Sequence, residues 1–178
     1  MPIDRGRTAR GALAGALAAG VWSAQAPLDR LAFGVPHSDP ALLGKAVTRG
    51  AGWPAVGLAL HLLNGAAFGA TYANVAPRMP VAPWARGPLA ALAEHLSTWP
   101  LTLAVERVHP ARDELPTLWG DARAFAQSTW RHLLFGVVLG ELERRFNAPE
   151  SDADDPLREH VSSNGHGNLE HAVGAPGG

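Results

Sequence analysis

Two ionisable residues, Glu94 and Arg131, stand inside otherwise apolar stretches of this chain, and three histidines, His61, His95 and His132, share those stretches or a neighbouring one. A charge in apolar surroundings costs free energy unless it meets a partner, so such residues are either paired for assembly or held for proton and ion chemistry. If the segments carrying Glu94 and Arg131 run antiparallel, the two lie at matching depths. Glu94 is seven residues from Gly87 and Arg131 nine from Gly140, roughly 10 and 13 Å at about 1.5 Å per residue. This spacing predicts a Glu94–Arg131 pair, with His95, Ser97, Thr98 and His132 adding polar groups nearby. Such a cluster either fixes how helices dock or handles protons and ions. Nucleophile motifs, phosphate loops and the His-Glu-x-x-His metal motif are all absent, so no residue is assigned as catalytic and no enzyme activity, cofactor or metal is expected.

The elements that must position these residues are four. Residues 50–77 run twenty-eight positions without Lys, Arg, Asp or Glu, and roughly 20 mostly apolar residues suffice for a helix to cross a bilayer. Residues 11–28 form a second uncharged run, preceded by Arg5, Arg7 and Arg10. The candidate spans are 11–28, 51–76, 87–105 and 124–142, separated by Pro- and Gly-punctuated loops. Trp53, Trp84, Trp119 and Trp130 fall near segment ends, where indole favours a headgroup zone. The expectation is an all-α integral membrane protein with four transmembrane helices, followed by a disordered polar tail over residues 147–178. The tail histidines His160, His166 and His171 lack metal-ligand spacing. A soluble bundle, or a signal peptide cleaved near Ala26, is the alternative to this reading.

An internal repeat organises the segments. His61-Leu62-Leu63-Asn64-Gly65-Ala66-Ala67-Phe68-Gly69 recurs as His132-Leu133-Leu134-Phe135-Gly136-Val137-Val138-Leu139-Gly140. Residues four apart share a helix face, so His61, Gly65 and Gly69 make one stripe and His132, Gly136 and Gly140 another. Glycines at this spacing let two helices approach closely. Each stripe is expected to be a packing seam at the interface between the halves, and the chain two tandem helical hairpins. The weaker match of residues 11–14 to residues 87–90 extends the repeat to the odd segments.

The His-Leu-Leu motifs with spaced Gly, Tyr72, Pro80, Trp84, Gly87-Pro88-Leu89-Ala90, Glu94-His95, Pro100 and the Glu143-Arg144-Arg145 ending together resemble the YagU-like small inner-membrane proteins of bacteria, over roughly residues 9–146. The resemblance implies a multi-pass protein of the cytoplasmic membrane in a family without an established activity, and it adds no catalytic residue. The charge balance of −1 offers no basic face for nucleic acid. Expected partners are the lipid bilayer and a second copy of the chain, with both termini cytoplasmic. The expected function is that of a structural or partner-binding membrane subunit, or alternatively a small oligomeric permease or proton-coupled carrier.

Overall fold

Asp4 opens the first helix: its carboxylate accepts the Arg7 amide at 3.0 Å, satisfying a donor that a helix start leaves without an intrahelical partner. From there α1 runs Arg5–Phe33 and stops at Gly34, whose φ of 71° is a left-handed conformation that glycine adopts without steric penalty. It is followed by α2 (Asp39–Val47), α3 (Trp53–Val75), α4 (Pro83–Thr98), α5 (Leu101–Val108) and α6 (Ala122–Phe146), with single 3-10 turns at Ala76–Arg78 and Arg112–Glu114. The structure, a computed structural model, describes residues 4–148, and no strand occurs among them. The expected tail falls outside the described residues apart from Asn147 and Ala148, and so do its three histidines.

Three of the four expected segments correspond to α1, α3 and α6. The fourth does not stay whole. Pro100 has no amide to donate, and the segment breaks there into α4 and α5. The stretch between the first two segments, read as loop, contains α2. Its signal was Ser38-Asp39-Pro40: the Ser38 hydroxyl accepts the Ala41 amide at 3.3 Å, and Pro40 falls in the first turn, where it costs no hydrogen bond.

The membrane expectation is overturned. No described helix is long and apolar enough to cross a membrane. α1 carries Arg5, Arg7, Arg10, Asp29 and Arg30, and α6 carries Arg123, Arg131, Glu141, Glu143, Arg144 and Arg145. α3 is free of charge, but His61, Asn64, Asn74 and its glycines dilute the apolar run. The integral-membrane fold, the multi-pass description and the inner-membrane location with cytoplasmic termini all fall with this finding. The all-helical architecture stands.

α1 and α6 form the centre, α3 flanks α1, and α4 flanks α6, while α2 packs on α3. The central pair is antiparallel. Arg7 reaches Glu143 at one end, and Asp29 meets Gln127 and Arg131 at the other. The glycine seams are placed differently from expectation, because each lies inside one half and not between the halves. Gly65 and Gly69 of α3 face Gly11 and Gly15 of α1, and Gly136 of α6 faces Gly87 of α4, with Gly140 alongside. Between the halves the contact is instead α1 on α6, packed by Ala14, Ala18, Trp22, Phe135 and Leu139.

Candidate functional site

Arg131 is fully buried, and the residues that hold it are not the ones its spacing suggested. Its Nε and Nη2 each donate to the Asp29 carboxylate at 2.6 Å, a two-pronged contact, while Nη1 reaches Asp39 at 3.0 Å. The planar guanidinium matches a carboxylate in this way where a lysine could not. Nη2 also donates to the His37 carbonyl at 3.2 Å. Gln25 and Gln127 donate to Asp29, and the Trp22 indole donates to Asp39. One cation and two carboxylates thus tie α1, α2 and α6 together. Burial alone would raise both carboxyl groups. The Arg131 contacts more than offset it for Asp29, and the contacts with His37 and Arg131 do so for Asp39, so both lie below the usual aspartate range.

Glu94 pairs elsewhere. Its Oε2 lies 2.9 Å from His132 Nε2, and its Oε1 lies 3.4 Å from the Thr98 hydroxyl. The predicted Glu94–Arg131 pair is therefore corrected to Glu94–His132 and Arg131–Asp29–Asp39. The reason is helical geometry: Arg131 and His132 are consecutive on α6, so their side chains diverge by about 100°. Arg131 points toward α1 and α2, and His132 toward α4.

His132 and Glu94 belong to a wider constellation. The His95 ring stacks on His132 at 4.5 Å between centroids, and Trp22 meets both His132 and His61 edge-on at 4.7 and 5.3 Å. All three histidines line a groove of about 580 Å³ between α3 and α4, floored by Trp22, Ser128 and Phe135, with residues of α2 and α5 also in its lining. The walls are mainly apolar, from Leu42, Leu43, Phe68, Trp99, Leu101 and Val105. Such a volume, with a few convergent polar groups, is in the range of small-molecule sites. His61 Nε2 is buried there with no hydrogen-bond partner, a cost that a bound molecule would relieve. Among the described residues, no group of His, Cys, Asp and Glu is arranged to hold a metal ion. No family model, no curated protein and no solved structure matches this chain.

The chemistry of His95 follows from its hydroxyl neighbours. The Thr129 hydroxyl already donates to the Phe125 carbonyl at 2.8 Å, so at 3.0 Å it accepts from His95 Nε2. That leaves Nδ1 to accept, 3.4 Å from the Ser128 hydroxyl. The ring is neutral in this arrangement. Burial, aided by repulsion from His132, pushes it down to about 4. An unfolded histidine titrates near 6.5, so between 6.5 and 4 the unfolded chain binds more protons and stability rises with pH. Acidification across that window is expected to cost on the order of 3 kcal/mol through this ring. His95→Leu should flatten the dependence of the urea midpoint on pH between 7 and 4.5. Parallel curves for the two proteins would rule the effect out.

Of the residues singled out from sequence, Glu94, His61, His95 and His132 meet at the groove, while Arg131 sits behind its floor. Gly65, Gly69, Gly136 and Gly140 shape the helix pairs around it. Sequence reasoning missed Asp29, Asp39, His37, Trp22 and Gln127. Asp29 lay one residue past the expected end of the first segment, and Gln25 four residues before it was the available sign of a polar helix face. Asp39 was read as a loop residue although it follows a capping serine.

Proposed function

We propose that this protein binds a small, largely apolar molecule in the groove between α3 and α4, with its polar end at the His61, His95, His132 and Glu94 cluster. The observation that carries the reading is the convergence of these four side chains on one cavity with apolar walls. Pairing alone explains Arg131, whose every nitrogen is satisfied within the fold. It does not explain His61, whose Nε2 has no hydrogen-bond partner. A ligand that offers this nitrogen a donor or acceptor would gain the energy of a buried hydrogen bond, about 1 kcal/mol or more, while its apolar body displaces water from the walls.

The test is binding of the neutral fluorophore N-phenyl-1-naphthylamine to the full chain. Wild type is expected to enhance its emission saturably, with a dissociation constant on the order of micromolar. Ala67 lines the groove and is exposed, so Ala67→Trp should fill the cavity without disturbing a packed position. That substitution is expected to weaken binding at least about tenfold, a loss of about 1.4 kcal/mol. Unchanged affinity in Ala67→Trp would place the dye elsewhere and remove support for the groove.

A further inference from the structure

We infer that the groove takes an organic cation and releases a proton on binding it, with the Glu94–His132 pair as the exchange site; this rests on the groove being a ligand site. The charge class follows from the lining. The charged lining residues are Asp39 and Glu94, and neither Lys nor Arg is among them. Asp39 is engaged by Arg131, by Trp22 and by His37 at 3.3 Å. Glu94 keeps a third of its side chain exposed and is the carboxylate that a ligand can reach. Trp22, Trp99, Phe68 and Phe135 in the same lining offer ring faces and edges, and aromatic faces attract cations. An anion would meet two carboxylates and no fixed positive charge.

The proton follows from hydrogen-bond bookkeeping. His132 Nδ1 lies 2.7 Å from the Ser128 carbonyl oxygen, which can only accept, so Nδ1 carries a hydrogen. Were the ring neutral, Nε2 would then present a lone pair to Glu94 Oε2 at 2.9 Å, two acceptors in contact. The contact is stable only with one more proton, on Nε2 or on the carboxyl. The pair therefore holds one proton beyond a neutral imidazole and a carboxylate, and it is neutral overall. His95, stacked on His132, is the neutral member and cannot share that charge without repulsion.

A cation seated on Glu94 replaces the proton as counter-charge. The imidazole keeps its Nδ1 hydrogen on the Ser128 carbonyl, the extra proton leaves to solvent, and the Glu94 carboxylate turns from Nε2 to the cation, so that no two acceptors stay in contact. The other titratable groups around the pair are His95 on α4, His61 on α3, His37 and Asp39 at the start of α2, and Arg131 with Asp29 behind the floor. Arg131 is fixed between Asp29 and Asp39, and His95 is already neutral, so neither supplies the released proton. α5 contributes Leu101, Thr102 and Val105 to the lining, none of which titrates.

The test uses two ions of one shape, tetraphenylphosphonium and tetraphenylborate, neither with an exchangeable proton. Calorimetry on the full chain at neutral pH, in buffers of different ionisation enthalpy, counts protons released per ligand. Tetraphenylphosphonium is expected to bind at least about tenfold tighter than tetraphenylborate, releasing about one proton. Glu94→Gln should remove both the preference and the release. His132→Gln should keep the cation preference and lose the release. Binding of the neutral dye without cation preference, or cation binding with no proton released, would overturn the exchange site and leave the groove reading intact. If neither the dye nor the ions bind, both readings fail.

Discussion

Replacing Arg131 with Met is expected to destabilise the fold by about 3–5 kcal/mol, the usual cost of breaking a buried ion pair by removing one partner. The loss would come less from the missing guanidinium than from what stays behind. The Asp29 side chain is fully buried, and without Arg131 its charge would be left to the amides of Gln25 and Gln127. Against a total stability of about 5–15 kcal/mol for an ordinary domain, that is a large fraction. The compensating double variant, Arg131→Met with Asp29→Asn, should recover part of the loss, since removing both charges removes the desolvation penalty. Urea unfolding followed by far-ultraviolet circular dichroism reads both. A loss below about 1 kcal/mol for the single variant would mean that the pair is solvated and peripheral, contrary to its burial.

The same network sets an acid limit. Asp29 and Asp39 titrate below the unfolded value of 3.8, so their contribution is complete above that pH and is lost as pH falls through their folded values. This lies below the His95 window, so acid unfolding should begin with the histidine and finish with the aspartates. Arg131→Met should remove the second phase and spare the first.

The helices α1, α3 and α6 were legible because long Ala- and Leu-rich runs and a repeated His-Leu-Leu motif mark them without tertiary help. The lateral order was not. Which glycine stripe meets which helix depends on partners distant in sequence, and Gly11 and Gly15 looked like ordinary members of an Ala-rich run until Gly65 and Gly69 were opposite them. The site was half legible for a similar reason. Glu94, His61, His95 and His132 announce themselves as polar residues in apolar stretches. The partners of Arg131 sit at a helix end and on a short helix, where polar residues are unremarkable. The membrane reading failed because an absence of charge was taken as sufficient apolarity. In α3, Gly, His and Asn occupy positions that a span would give to Leu or Ile, since close helix approach and the groove both draw on small and polar side chains.

Gly15→Ala should be more damaging than its single added carbon suggests, at about 2–3 kcal/mol, within the range for forcing extra atoms into a packed core. A Cβ at Gly15 would overlap the Gly65 carbonyl oxygen and stand 2.9 Å from Gly69 Cα. Both obstacles are backbone, so no side-chain rotation relieves them, and α1 must move off α3. The intrinsic preference of a helix for Ala over Gly, about 1 kcal/mol, works in the opposite direction and is overwhelmed. Gly140 supplies the control. There a Cβ would meet Gly87 Cα at 3.4 Å and the Tyr72 hydroxyl at 3.5 Å, ordinary contact, so Gly140→Ala should be neutral or stabilising by up to about 1 kcal/mol. The contrast also bears on the groove: α1 carries Trp22, which spaces His61 from His132, so parting α1 from α3 should weaken dye binding in Gly15→Ala, whereas Gly140→Ala should not. Equal stabilities of the two variants would mean that the α1–α3 seam is looser than its geometry, and that the separation of the two histidines is set by something other than the glycines.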